Sequence, residues 1–401
     1  MDNQELIRTL SQSTSSRIVM LVLDGLGGLP QPEIGKTELE IAFTPNLDRL
    51  AAEGVCCLSD PVAPGIIPGS APGHLALFGY DPVKYEIGRG VLEATGIDFT
   101  VQPGDVASRG NFCTVDSQGL VTDRRAGRIS DEKCVELCRI LDGQNIDGIE
   151  VIVRPVRGHR FIAVFRGKCL SPEVNDSDPQ QTGLPSLDIT AENSEAVKTA
   201  NIANKFIASA RELLAEQSPA NMILLRGFSG EPGFPSMKDI YKLSPAAVAG
   251  YPMYRGLARL VGMDTLDTGP GINDVFATVK EHYEKYDFFF LHFKSTDSAG
   301  EDGDFDRKVK AIEEVDLALP ELTSLKPDVL VVTGDHSTPA VLKGHSWHPV
   351  PVLLNSRYCR ADNTVNFSEA SCAKGGLGRI SSVDIMPLAM ANALKLKKFG
   401  A

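Results

Sequence analysis

Three apolar runs in this chain are each followed closely by an aspartate. Ile18–Leu23 runs straight into Asp24, Phe288–Leu291 leads through Lys294 to Asp297, and Val329–Thr333 ends at Gly334-Asp335-His336. A lone aspartate after a strand often does no more than cap the next helix. Three gathered at one sheet edge would repel one another in a low dielectric unless a cation sat among them, so a metal site is the economical reading. Further donors lie close in sequence. His345 follows His336 by nine residues, and Glu301 follows Asp297 by four, on the same face if that segment is helical. Asp24, Asp297, Glu301, Asp335, His336 and His345 make a mostly oxygen donor set, too large for one tetrahedral structural zinc and suited to two divalent ions. Two adjacent metals suit phosphoryl transfer, because together they can hold the attacking and the leaving oxygen.

Such chemistry needs a nucleophile and an anion grip. Ser70 stands in Pro68-Gly-Ser70-Ala-Pro-Gly-His74, after a Pro-Gly turn and before a helix-like stretch. Free backbone N–H groups at a helix start would steady a phosphate on its hydroxyl. The competing reading is a plain N-cap. His74 could donate a proton, or be an ordinary packed helix residue. Arg124, Arg125 and Arg128 form one basic cluster, and Arg154, Arg157, His159 and Arg160 another. From these, Arg125, Arg128, Arg154, His159 and Arg160, with Lys294 at the aspartate edge, are the candidate substrate ligands; solvated surface charge is the alternative for each.

The elements that must position these groups are short, unbroken apolar runs, as expected of strands covered on both faces of a parallel sheet. Met222–Leu225 is a fourth such run, and helix-like stretches span Thr44–Glu53, Ala191–Glu216 and Phe305–Leu319. The alternation predicts an α/β fold, doubly wound around a mostly parallel sheet, in which ligands bind at the carboxyl ends of the strands. Shorter alternating stretches and polar loops between about Val101 and Thr190 predict an inserted, smaller α+β domain. The expected division is 1–100 with 191–401 as a metal-binding core, and 101–190 as a substrate-binding insertion.

The 401 residues are 42% hydrophobic and 23% charged, with a formal charge of −12, the profile of a globular protein that repels nucleic acid. No run approaches the ~20 apolar residues of a membrane span. The first seventeen residues are polar and mixed in charge, unlike a secretion signal. A cytoplasmic protein with neither nucleic-acid nor membrane partners is predicted; a homo-oligomer is compatible with this reading. The eight cysteines form no CxxC pair, so buried thiols are expected, with no zinc at Cys134 and Cys138.

Taken in order, several motifs together resemble the cofactor-independent phosphoglycerate mutases of archaeal type, within the alkaline phosphatase superfamily. They are Val22-Leu-Asp24-Gly-Leu-Gly, Thr44-Pro-Asn-Leu-Asp, Pro68-Gly-Ser70 with His74-Leu-Ala, Phe78-Gly-Tyr-Asp-Pro82, Asp123-Arg-Arg-Ala-Gly-Arg-Ile129, Asp297-Ser-Ala-Gly, Gly334-Asp-His336, and His345 before Pro349-Val-Pro. The resemblance implies an alkaline-phosphatase-like core and a transiently phosphorylated serine. It also implies two divalent cations, manganese first, with magnesium, zinc or cobalt as alternatives. Asp24, Ser70, Asp335 and His336 would hold one metal, and Asp297, residue 301 and His345 the other. The implied reaction is the glycolytic interconversion of 3- and 2-phosphoglycerate without 2,3-bisphosphoglycerate, on a small phosphorylated acid. A homoserine kinase-like phosphotransferase or a phosphomonoesterase on the same core is the alternative. Two departures stand out: Glu301 replaces the family's usual histidine, and Ala71 replaces the aspartate that usually follows the nucleophile.

Overall fold

Burial at every position from Ile18 to Leu23 makes this strand the centre of an eight-stranded sheet. The computed structural model describes residues 2–400. Across the sheet the strands run Asp264–Leu266, Pro245–Ala249, Phe288–Phe293, Ile18–Leu23, Val329–Thr333, Val350–Ser356, Val55–Asp60 and Arg379–Ser381. Only Val350–Ser356 pairs antiparallel with its neighbours. Val19, Leu21 and Leu23 face a core shared with helices Pro45–Glu53, Ile272–His282 and Phe305–Ser324. Ile18, Met20 and Val22 on the opposite face are equally buried. Both faces are thus covered, which is why the run carries no polar alternation. Six fully buried apolar side chains on that strand contribute on the order of 10 kcal/mol, so its carboxyl end is held by packing rather than by any ligand.

The chain divides into two compact units, one of Met1–Glu86 with Phe234–Ala401 and one of Ile87–Gly233. The second unit therefore takes in residues 87–100 and 191–233, beyond the 101–190 expected from sequence. Two elements assigned by pattern to the core move with it. Met222–Gly230 is a strand that pairs antiparallel with Val106–Val115, and the long helix, Val197–Leu213, packs on that sheet. A run buried on both faces reads alike in a parallel and in an antiparallel sheet, so periodicity could not separate the two. The rest of this α+β unit is the strand order Val121–Asp123, Val106–Val115, Arg160–Arg166, Ile149–Arg157, Gln144–Ile146.

The helix predicted from Thr44 forms over Pro45–Glu53, but the Thr44 side chain makes no cap bond. The buried Asp316 caps it instead, accepting from Leu47 N at 2.7 Å and Asn46 N at 3.3 Å. All eight cysteines are free thiols, with Cys134 Sγ and Cys138 Sγ 4.0 Å apart. Among the described residues no helix is long and apolar enough to cross a membrane.

Candidate active site

The site is set by three neighbouring strands that end together. In parallel register, Leu23 pairs with Phe293 and Val22 with Thr333, so the residues following each strand emerge side by side. They are Asp24, then Lys294 and the helix Ser295–Asp302, and the loop Asp335-His336. Asp24, Asp297, Asp335 and His336 are wholly buried. The glycine after Asp24 is required there: Gly25 has φ +64°, and a Cβ would stand 2.5 Å from Thr338 Oγ1 and 2.7 Å from Asp297 Oδ1.

Two clusters result, Asp24 with Asp335 and His336, and Asp297 with His336 and His345, each with its donor atoms within 4.8 Å of one another. His336 belongs to both. Its Nε2 lies 3.2 Å from Asp335 Oδ2 and 3.4 Å from Asp24 Oδ1, and its ring stacks on His345 with centroids 3.7 Å apart. His345 Nε2 is 3.7 Å from Asp297 Oδ1 and 3.8 Å from Glu301 Oε1. Asp297 and Glu301 do share one helix, yet Glu301 is about half exposed, its carboxylate at the rim of the cluster rather than within it. Ser70 is the first residue of helix Ser70–Leu77, capped by Gly69. It is not the N-cap, and its Oγ is free to sit 3.2 Å from His336 Nε2.

The donor chemistry fits divalent cations. Asp24 Oδ1 and Asp335 Oδ2 are buried without hydrogen-bond partners, a costly state for anionic oxygens unless a cation meets them. The other oxygen of each is engaged. Asp335 Oδ1 accepts from Gly25 N at 3.1 Å. Asp24 Oδ2 accepts from Tyr254 OH, from His292 Nε2 at 3.0 Å and from Lys294 Nζ at 3.1 Å. Burial alone would raise the Asp24 pKa; the His292 bond and the charges of Lys294 and His336 hold it well below the usual carboxylate range. The Lys294 ammonium also donates to Asp297 Oδ2 at 2.5 Å and Tyr254 OH at 3.1 Å, so its three hydrogens face protein atoms and it orients carboxylates.

His292, Tyr254 and Thr338 are the participants that sequence reasoning missed. Thr338 Oγ1 donates to Asp297 Oδ1 at 2.6 Å and lies 3.0 Å from His336 Nδ1. A histidine two residues before Lys294, at a strand's carboxyl end, was a readable signal; Tyr254 arrives on helix Pro252–Leu260 and had none. His74 is buried against Tyr254, His292 and Phe290, its Nδ1 2.8 Å from Ser70 O and 3.1 Å from Asp335 Oδ2. These partners give it a packing and orienting position beneath Ser70.

Within the second unit a cleft of about 630 Å³ is lined by arginines 109, 124, 125, 128, 157, 160 and 226 together with His159. Arg125, Arg128, His159 and Arg160 are among the lining residues. Arg154 is absent from the lining, its guanidinium 2.6 Å from Asp142 Oδ2. Arg124 is engaged by the buried Asp178 at 2.6 Å. Burial, with Arg160, Arg125 and Arg109 nearby, pushes the His159 pKa below the ordinary histidine value.

A family model described as 2,3-bisphosphoglycerate-independent phosphoglycerate mutase matches residues 51–221. A protein of Thermosipho africanus is 49% identical over 402 residues, spanning the whole of both chains. One of Aquifex aeolicus is 50% identical over 407 residues, spanning 99% of this chain and all of its own. Each is named "Probable 2,3-bisphosphoglycerate-independent phosphoglycerate mutase". A solved structure described as the cofactor-independent phosphoglycerate mutase of Thermoplasma acidophilum aligns with TM-score 0.80 at 31% identity, covering 94% of this chain and all of that one. A solved structure from Pyrococcus horikoshii aligns with TM-score 0.79 at 30% identity, covering 97% of this chain and all of that one.

Proposed function

Because the chain belongs to the 2,3-bisphosphoglycerate-independent phosphoglycerate mutase family, we propose that it interconverts 3- and 2-phosphoglycerate by passing the phosphoryl group through Ser70. The observation that carries this reading is the Ser70 hydroxyl 3.2 Å from His336 Nε2, beside buried carboxylate oxygens that lack partners. Asp24, Asp335, His336 and Ser70 would hold one divalent cation, and Asp297, Glu301 and His345 the other; manganese suits this mixed oxygen and imidazole set. When bound, such ions supply neutralising charge for phosphoryl oxygens and a lowered pKa for a nearby hydroxyl.

Ser70 Oγ gives up its proton as it attacks phosphorus, and the Oγ–P bond forms as the bond from phosphorus to the substrate's 3-oxygen breaks, so that one proton is released and one is taken up by the leaving oxygen. That oxygen leaves with glycerate and takes up a proton. The 2-hydroxyl of the retained glycerate then attacks the phosphoserine, losing its proton as the Oγ–P bond breaks and Ser70 is regenerated. Lys294, His292 and Tyr254 hold Asp24 in one orientation through both transfers. The arginine cleft of the second unit offers planar two-pronged donors, which match the anionic groups of a small phosphorylated acid.

The test is a coupled assay with enolase, in Mn²⁺ and without added 2,3-bisphosphoglycerate. 3-Phosphoglycerate is expected to yield phosphoenolpyruvate. Release of inorganic phosphate alone would mark a phosphomonoesterase, and phosphorylation of homoserine the kinase-like alternative; either result sinks the proposal. In the same assay, Arg125→Ala and Arg128→Ala are expected to raise KM about ten- to a hundredfold, each removing a charge-assisted contact. Arg154→Ala, already paired with Asp142, should leave KM within about threefold. Equal effects at all three positions would refute the assignment of the cleft.

A further inference from the structure

Six consecutive residues, Asp335 to Ala340, are buried without forming a strand or helix. Backbone carbonyls in such a segment need donors from elsewhere. One donor is Lys308, on helix Phe305–Ser324, which contributes no candidate metal ligand. Lys308 is wholly buried. Its Nζ donates to Thr338 O at 2.9 Å and to Gly27 O at 3.0 Å, and stands 4.0 Å from Glu38 Oε1. Both carbonyls belong to segments that carry candidate ligands. Gly27 follows Asp24 by three residues, and Thr338 is the residue whose hydroxyl contacts Asp297 and His336. Glu38, also wholly buried, continues the network by accepting from Ala340 N at 2.8 Å.

We propose that Lys308 is a positioning residue for the metal centre: its buried ammonium ties the loop carrying Asp24 to the loop carrying Asp335 and His336, setting the spacing of their donor atoms. The inference rests on the metal-centre reading given above. A buried ammonium is an expensive way to satisfy two carbonyls if packing were its only task, since an apolar side chain of similar length fills the same space. What the charge adds is one point bonded to both loops at once. The loops also share backbone bonds, from Thr338 N to Gly27 O at 3.0 Å and to Gly25 O at 3.3 Å; in Ala and Met variants the two carbonyls lose their charged common partner, and those bonds alone are left to set the spacing of the ligand oxygens.

The experiment is calorimetric titration of Mn²⁺ into the metal-stripped full-length protein, with turnover measured alongside. Lys308→Met is expected to bind Mn²⁺ about tenfold more weakly, as supporting partners of metal ligands typically do when removed. Its kcat should fall while KM for 3-phosphoglycerate stays within about twofold, a split that general loosening of the fold would not give. Lys308→Ala, refolded with ethylammonium to occupy the vacated volume, serves if the Met variant does not fold. Withdrawing the amine should then weaken Mn²⁺ binding by a similar factor at unchanged circular dichroism. Affinity within twofold of wild type in Lys308→Met, or indifference of the Ala variant to the amine, overturns the role of Lys308 alone. Failure of the wild-type chain to bind Mn²⁺ overturns the metal-centre reading and this inference with it.

Discussion

Ser70→Ala is expected to lower turnover by about 10⁵-fold or more, the scale on which removal of a nucleophile acts. The change is structurally mild. Ser70 is the first residue of its helix and Gly69 is the cap, so no cap bond is lost, and alanine is the best helix former. Its Oγ meets His336 Nε2 at 3.2 Å and also bonds the Tyr254 hydroxyl, and these contacts disappear. Asp24, Asp335 and His336 remain together, so Mn²⁺ content at saturating metal should be unchanged. Phosphate labelling sharpens the test: wild type incubated with labelled 3-phosphoglycerate and quenched in acid should carry label on Ser70, and the variant none. Activity within tenfold of wild type, or label at another residue, would remove Ser70 from the mechanism.

Asp335→Asn is expected to cost about 10³-fold in turnover and at least about 10²-fold in Mn²⁺ affinity, because a neutral amide is a poorer ligand for a hard cation than a carboxylate. The substitution keeps shape. An amide oxygen can still accept from Gly25 N, as Asp335 Oδ1 does at 3.1 Å. What it removes is the charge on an oxygen that stands 3.1 Å from His74 Nδ1 and 3.2 Å from His336 Nε2. Since Asp24, Asp297 and Asp335 are all wholly buried, deleting one negative charge relieves repulsion in the metal-free state. The variant also loses the charge that raises the His74 pKa, so the decisive reading is the gain in melting temperature on adding Mn²⁺, which should shrink. A large loss of metal-free stability with Mn²⁺ affinity intact would show that Asp335 serves the fold rather than an ion.

How much was readable depended on where each group sits. The aspartates follow buried strands directly, and the carboxyl ends of neighbouring parallel strands meet at one edge, so chain position already implied spatial position. His336 shared that advantage. Tyr254 did not: it reaches Asp24 from a helix that follows Pro245–Ala249, a strand that adjoins Phe288–Phe293 rather than Ile18–Leu23, and one aromatic on an amphipathic helix looks like core. Arg154 erred in the other direction. It stood in a basic cluster by sequence, yet on its strand it meets Asp142 rather than the cleft. The unit boundaries were missed because Met222–Leu225 and the Val197–Leu213 helix have the same apolar make-up as core elements.

By itself the amino-acid order determined the class of fold, the central strands and most of the acidic and imidazole side chains that gather at the strand ends, because burial on both faces writes itself into unbroken apolar runs and a strand end is a local event. The tertiary structure alone decided that His336 is common to both donor clusters and that Glu301 stays at the rim. It alone settled Asp24 with one oxygen held by three donors and the other left bare, and a buried lysine joining two loops. These are relations between segments up to hundreds of residues apart, set by strand order and side-chain packing, and no local pattern encodes them.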